Sequence, residues 1–263
     1  MVKVNASKLH SIQKSLCDEF VTDVDFMDKI MDDYIRKKHF HHQYSIKNIL
    51  LANEQLFIRK GITTELLAPY NAWDKINRHV KKGEKALYIL VPIIYENDDG
   101  TNDVYFKRGP VFDLSQTEGE PFTAEYVDNI SGISYEQIVS QIDIPVEYSD
   151  KEIQEGYTDG ETIFISKHIS DTKKICVLFH EMGHYYLHWG EDRDEISRNI
   201  RELEAEVVSY MTTSALGIQN KESAQYIRGW AGENAPDIIK GRGSKLIQLS
   251  QKILDGLEVL YKP

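Results

Sequence analysis

His180-Glu181-Met182-Gly183-His184 is the stretch of this 263-residue chain whose residue types and spacing point most directly to chemistry. In a helix, positions i and i+4 lie one turn apart on one face, so both imidazoles can reach a single cation. Glu181 projects beside them, where a carboxylate can polarise and deprotonate a water held by that cation. The surrounding residues Ile175, Val177, Leu178, Phe179 and Leu187 are apolar, so this turn is expected to be buried on most sides. Two histidines and a glutamate in such surroundings need a compensating partner, and a divalent metal provides one. His188 is read as packing or hydrogen-bonding on its own and Cys176 as a buried apolar filler. Neither is assigned to the site.

A third ligand is expected from the next helical segment. Arg201-Glu202-Leu203-Glu204-Ala205-Glu206 begins 17 residues after His184. Glu202 and Glu206 share a helical face, while Glu204 points away from it by about 160°. Glu202 is assigned as ligand and Glu206 as the acceptor that orients an imidazole N–H; Glu204 stays open as the alternative ligand. A His, His, Glu set with a vacant fourth position is the catalytic type of Zn2+ site. The strand expected at 161–165 precedes this helix, and its edge is a candidate surface for an extended peptide, an ordinary core strand being the alternative.

The elements that must position these residues follow from periodicity and caps. Ser170 or Asp171 caps a helix running to about Trp189 and stopping at Gly190, and a second spans 197–216 before Gly217. A helix at 134–141 and a strand at 144–148 precede a hairpin of strands 153–157 and 161–165 that turns at Asp159-Gly160. Helices are also expected at 224–229 and 245–261. In the first half, apolar residues at helical spacing over 7–38 predict one or two amphipathic helices, and Ser45 caps another over 46–58. A short helix is expected at 72–80, then a buried strand at 85–95, a turn at 97–100, a returning strand at 104–107 and a further strand near 111–114. The polar stretch 115–130 is placed as the boundary between domains 1–125 and 126–263. The fold class is α+β: N-terminal helices with a small antiparallel sheet, then a second domain in which a hairpin precedes the two long helices.

Composition bounds the alternatives. Hydrophobic residues make up 41% and charged residues 28%, which suits a folded domain and excludes a disordered chain. The longest apolar run, 87–95, is interrupted by Pro92 and is too short to span a bilayer. No membrane partner is expected. The first residues lack a secretory apolar stretch, and two distant cysteines, Cys17 and Cys176, imply no disulfide framework, so a cytoplasmic setting is expected. The net charge is −11, with a balance of −3 over residues 1–128 and −8 over 129–263. Within the first half, seven basic residues over 59–88 face three acidic ones. Such a local patch can bind phosphates, because screening limits the partner's view to about 8–10 Å. Tyr44, Tyr70, Trp73 and Tyr88 interleave there with Arg78, Lys81, Lys82 and Lys85, a pattern that fits bases stacked on rings and phosphates tracked by cations. On composition alone the plainer reading is favoured, in which Trp73 and Tyr88 are core aromatics and 80–85 is a solvated loop.

The motifs also carry a resemblance. The HEMGH helix followed by RELEAE resembles minimal zincin metallopeptidases, a group that includes the ImmA/IrrE-type proteases. Tyr44-Ser45-Ile46-Lys47-Asn48, the stretch AWDKINRHVKKGEKALYILVP around Trp73, and Pro110-Val-Phe-Asp-Leu-Ser-Gln-Thr117 resemble the N-terminal domain of ArdC-type antirestriction proteins. The resemblance covers about 5–125 and 145–260. It implies a single-stranded-DNA-binding domain joined to a zincin-like domain, carriage on a mobile genetic element, and protection of incoming DNA. The family's glycine-arginine pair is changed here, since Ile76-Asn77-Arg78 keeps the arginine and lacks the glycine. The expected protein is a zinc metallopeptidase coupled to a single-stranded-DNA-binding module, with a protein substrate that the sequence does not identify. Its rivals are a non-catalytic nuclease-blocking or DNA-binding protein and a regulatory protease that cleaves a repressor.

Overall fold

The computed structural model describes residues 6–37, 44–97, 99–121, 132–151, 153–189, 195–231, 239 and 241–260. Its contacts divide the chain into two compact units, one of Met1–Cys17 with Lys37–Glu125, the other of Asp18–Arg36 with Tyr126–Pro263.

The first unit is built on an antiparallel sheet. β3 (Leu87–Glu96) pairs with β4 (Asn102–Asp113) from Leu87↔Val111 to Glu96↔Asn102, and β1 (Leu67–Ala68) closes the order β1-β4-β3. The strand expected near 111–114 is thus the far end of one long ribbon. α1 (Ala6–Phe20) and α3 (Ile46–Lys60) supply apolar faces to it, with Leu9, Leu51 and Leu90 in one cluster and Ala52, Leu56, Leu87 and Ile89 in another. Ser45 Oγ caps α3 by accepting the Asn48 N–H, and Gly61 ends it at φ 68°. The helix expected at 72–80 stops early. α4 (Tyr70–Asp74) gives way to β2 (Arg78–Val80), which pairs with β5 (Thr117–Gly119), because Asn77 takes φ 56° and turns the chain. That left-handed conformation is one that glycine adopts freely and asparagine tolerates, so Asn77 serves where the resembled family has glycine.

The family-like motifs of this unit hold one another. The Asn48 amide donates to Leu90 O and accepts the Leu90 N–H. The Trp73 indole N–H donates to Phe112 O, and the buried Asp113 carboxylate accepts from the backbone of Glu65, Leu66 and Ser115. Gln116 donates to Glu84 and to Lys85 O, bracing the turn that carries Lys81, Lys82 and Lys85.

The second unit takes in α2 (Val24–Lys37), which the sequence placed with the N-terminal domain. Met27 and Met31 are fully buried, Arg228 donates to Asp25 at 2.7 Å and Ser214 Oγ to Asp28 at 2.9 Å, so an apolar stripe and polar ties bind α2 to this unit. β6 (Val146–Ser149), β7 (Gly156–Thr158) and β8 (Ile163–Ser166) form a sheet in the order β6-β8-β7. β6 runs parallel and β7 antiparallel to β8. The expected peptide-binding edge at 161–165 is therefore displaced. β8 is the central strand, paired on both sides, and the edges are β6 and β7.

The helices of this unit are α5 (Tyr135–Val139), α6 (Asp171–Leu187), α7 (Arg198–Ala215), α8 (Lys221–Ala231) and α9 (Gly243–Gly256). Ser170 and Ser197 cap α6 and α7 by accepting the Lys173 and Ile200 N–H groups. α6 and α7 cross closely because Gly183 faces Ala205; a Cβ at Gly183 would lie 2.9 Å from the Ala205 Cα. Gly190, the expected stop of α6, lies outside the described residues, as do 122–130 of the expected boundary stretch and Tyr261 at the end of the last helix. The whole is an α+β arrangement. Among the described residues, no helix is long and apolar enough to cross a membrane.

Candidate metal centre

α6 and α7 bring His180, His184 and Glu202 together. The Nε2 atoms of the two histidines are 3.1 Å apart, and each lies 3.5 Å from Glu202 Oε2. Donors about 2.0–2.2 Å from a tetrahedral ion stand about 3.3–3.6 Å from one another, so the observed spacing is close to that of one shared cation. Among the described residues, this is the one group of three histidine, cysteine or carboxylate side chains that could hold a metal ion. Of the two candidate third ligands, Glu202 is the one that faces the histidines.

The electrostatics favour positive charge at this point. Burial pushes His180 down, but the carboxylates of Glu202 and Glu206 outweigh it and pull the imidazole up to about 10. Hydrogen bonds from His180 and His184 hold Glu202 well below the usual carboxylate range. A proton on His180 and a divalent ion satisfy the same surplus of negative charge. The donor chemistry therefore fits a divalent cation, whose binding displaces that proton.

Two sets of residues back the two histidines. Glu206 Oε1 lies 3.3 Å from His180 Nδ1 and its other oxygen accepts from Ser223 Oγ. His184 Nδ1 lies 2.9 Å from His188 Nδ1, and His188 Nε2 lies 2.9 Å from Glu204 Oε2. Arg242 then donates to both Glu204 oxygens. His188, expected to stand outside the site, is 2% exposed and directly partnered with His184. Its spacing of i+4 from His184 was the available signal; nothing in the spacing pointed to Arg242.

Glu181 is buried beside the histidines, and burial pushes its carboxyl above the ordinary range. Open space flanks the centre on both sides. One cleft of about 450 Å³ is lined by Glu155, Gly156, Lys173, Val177 and Glu222. The other, about 380 Å³, is lined by Tyr157, Thr158, Trp189, Arg198 and Arg201, and both reach His180, Glu181 and Glu202. β7 runs along these clefts. Its ladder to β8 uses Glu155 O with Ser166 N–H and Asp159 N–H with Thr162 O, so the alternation of an antiparallel pair turns the backbone of Gly156 and Thr158 away from β8. Gly156 must stay small, since a Cβ would meet Val177 at 2.4 Å and Glu181 at 3.3 Å.

The expected nucleic-acid residues lie in the first unit and have different environments. Trp73 is 0% exposed and cannot stack on a base, which corrects its assignment: it is a core aromatic whose indole N–H is used by Phe112 O. Tyr44 is half-buried against the sheet, and burial pushes its hydroxyl up to about 12. Arg78 donates to Thr117 and to Glu120 O, so its guanidinium closes the β2–β5 pair. Lys81, Lys82 and Lys85 are exposed, with Lys81 Nζ also reaching Ser115 O.

Comparison with known proteins adds to this geometry. Residues 139–223 match the family model of the IrrE N-terminal-like domain, Peptidase_M78. No curated protein matches the sequence. The metal-free crystal structure of the antirestriction ArdC protein from the R388 plasmid is similar with a TM-score of 0.52 and 17% identity, over 96% of this chain and 99% of that one. Its Mn(II)-bound structure gives a TM-score of 0.50 and 18% identity, over 91% and 97%. The chain thus has the ArdC fold along nearly its whole length, with an IrrE N-terminal-like segment at residues 139–223.

Proposed function

We propose that this protein is a zinc-dependent metallopeptidase coupled to a single-stranded-DNA-binding module, acting in the cytoplasm as an antirestriction protein of a mobile genetic element. The observation that carries the peptidase reading is the convergence of His180, His184 and Glu202 at 3.1–3.5 Å with Glu181 buried beside them. Zinc suits a His, His, Glu donor set, and the Mn(II) bound by the similar ArdC structure supports a divalent ion of this size class.

When bound, such an ion supplies Lewis-acid charge that polarises a peptide carbonyl and acidifies water. The rest is work for the chain. The outward backbone of Gly156 and Thr158 pairs with an extended substrate, as an added strand at the sheet edge. Glu181 accepts a proton from the attacking water on a carboxylate oxygen and returns it to the leaving amine. Its raised pKa suits that exchange, because a proton carrier works best when its pKa lies nearer the working pH. Glu206 holds His180 in the orientation that leaves Nε2 free for the ion.

In the first unit, the exposed Lys81, Lys82 and Lys85 on their braced turn are the phosphate contacts of the DNA-binding reading. The antirestriction role rests on the likeness to ArdC.

The test is metal analysis of the wild type beside His184→Ala and Glu202→Ala, with peptide cleavage and antirestriction measured for Glu181→Gln. The expected result is one equivalent of metal in the wild type and in Glu181→Gln, loss in both ligand variants, and cleavage reduced about 10²–10⁴-fold in Glu181→Gln. Full activity in Glu181→Gln would make the protein a binder instead of a peptidase.

A further inference from the structure

The contact between His184 and His188 has a fixed polarity if Nε2 of His184 is a metal-binding atom. That nitrogen then offers its lone pair, so Nδ1 carries the proton and donates to His188 Nδ1, 2.9 Å away. With its Nδ1 accepting, His188 must carry its own proton on Nε2, which donates to Glu204 Oε2 at 2.9 Å. Glu204 is 1% exposed and also receives Arg242. Every bond in the chain points toward that one carboxylate. Arg242 is set in turn by Asp18: its two oxygens accept the N–H groups of Gly241 at 2.8 Å and Gly243 at 2.9 Å, one on each side of the arginine. Asp18, His184, His188, Glu204 and Arg242 all belong to the second compact unit.

We propose that Arg242 and Asp18, acting through Glu204 and His188, are positioning residues of the metal site that fix the tautomer and ring orientation of His184. The inference rests on the reading of His180, His184 and Glu202 as metal ligands. It adds that the site is not self-contained: two of its supports, Asp18 and Arg242, lie outside residues 139–223, the segment that matches the IrrE N-terminal-like domain. The physical case is that a ligand histidine whose second nitrogen is held by a hydrogen-bonded partner binds more tightly, and removing such partners costs about 10–100-fold in metal affinity.

The experiment uses the full chain, stripped of metal and titrated with Co2+ and Zn2+ against a competing chelator, for the wild type, His188→Leu, Arg242→Gln, Asp18→Asn and the His188→Leu/Arg242→Gln pair. His188→Leu leaves Glu204 paired with Arg242, so no buried charge is orphaned and the metal-free fold should survive, checked by circular dichroism and thermal unfolding. The expected result is about 10–100-fold weaker binding in His188→Leu, a smaller loss in Arg242→Gln and in Asp18→Asn, and an altered Co2+ visible spectrum in each. The double variant should bind no more weakly than His188→Leu alone, because both changes cut the same chain. Arg242→Lys, which keeps one charged donor, should recover part of what Arg242→Gln loses. Unchanged affinity and Co2+ spectra in the folded variants would overturn the proposal, as would additive losses in the pair or a fall in metal-free stability alone. A wild type that takes up neither ion would instead overturn the metal-ligand reading beneath it.

Discussion

Replacing Gly183 by alanine separates helix stability from metal binding. Gly183 sits inside α6 between Glu181 and His184, where its hydrogen faces α7. A methyl group there would lie 2.9 Å from the Ala205 Cα and 3.3 Å from its Cβ. Carbon atoms in contact prefer about 3.5–4.0 Å, so α7 must retreat by roughly 0.6–1 Å at the crossing or α6 must bend. Ala205 is three residues from Glu202, and His184 is next to position 183, so the displacement passes directly into the group of His180, His184 and Glu202 proposed to hold the ion. Metal–ligand distances tolerate only about 0.2 Å, and the Glu202 oxygen would move beyond reach of an ion held by both histidines. Two terms oppose each other in the metal-free protein. Glycine to alanine inside a helix gains about 1 kcal/mol of propensity, and overpacking costs about 1–3 kcal/mol, leaving a net loss between about 0 and 2 kcal/mol. Metal affinity has no such offset and should fall at least about tenfold, or about 1.4 kcal/mol. Gly229 in α8 supplies the control, because a Cβ there meets nothing within 4 Å. Gly229→Ala should gain stability by up to about 1 kcal/mol and bind metal as the wild type does. Urea unfolding of the metal-free proteins and chelator competition measure the two quantities. If Gly183→Ala behaves like Gly229→Ala in both, the close crossing does not set the ligand geometry.

Two further outcomes concern the first unit. The Lys81/Lys82/Lys85 triple alanine variant should bind a single-stranded oligonucleotide at least about tenfold more weakly and with a shallower salt dependence, while Trp73→Phe should lose stability and keep its DNA affinity; the reverse pattern would restore Trp73 as a stacking platform. Glu84 gives a pH signature. Burial pushes its carboxyl up, but hydrogen bonds from Lys60 and Gln116 and the charges of Lys60 and Lys81 hold it below its ordinary value of 4.5. The folded state therefore favours the anion, so this contribution is complete above pH 4.5 and fades as the pH falls through the lowered folded value. Glu84→Gln should cost about 1 kcal/mol or less at pH 7, and the gap in urea midpoint should narrow by pH 3; a gap independent of pH would show that the charge contributes nothing.

The sequence revealed most where one local rule governed the outcome. Ser45, Ser170 and Ser197 cap the helices that their spacing predicted, and the pairing of β3 with residues 104–107 follows from an apolar run and a turn at 97–100; that the return strand continues to Val111 opposite Leu87, where a separate strand is expected, did not. It revealed less where the answer lay in distant packing. Nothing local told that α2 joins the second unit, since an amphipathic stripe names its buried face and not what covers it. The short helix at 72–80 was overextended because asparagine at 77 is a weak signal for a left-handed turn. Strand order was likewise invisible. The hairpin of β7 and β8 was legible, but that β6 pairs with β8, leaving β7 at one edge, depends on a parallel partner from an earlier segment.

The same division runs through the candidate site. His180, His184, Glu202 and Glu206 could be picked out because each is fixed by helical phase relative to a neighbour, and the i, i+4 rule places both members of such a pair at once. The phase argument also turned Glu204 away from the face that carries Glu202 and Glu206, but it stopped there. A buried carboxylate on the far face needs partners of its own, and asking which groups could meet that need would have led to His188, one turn beyond His184 on α6. Phase could not reach Arg242, 38 residues further along, whose place depends on a glycine-flanked turn gripped by Asp18. Trp73 went the other way for a related reason. An aromatic among lysines looks like a nucleic-acid contact, yet an indole N–H that donates to Phe112 O and a ring closed off from solvent leave it no face to offer a base. In both cases the decisive quantity is burial, which residue type suggests and only the packed chain fixes.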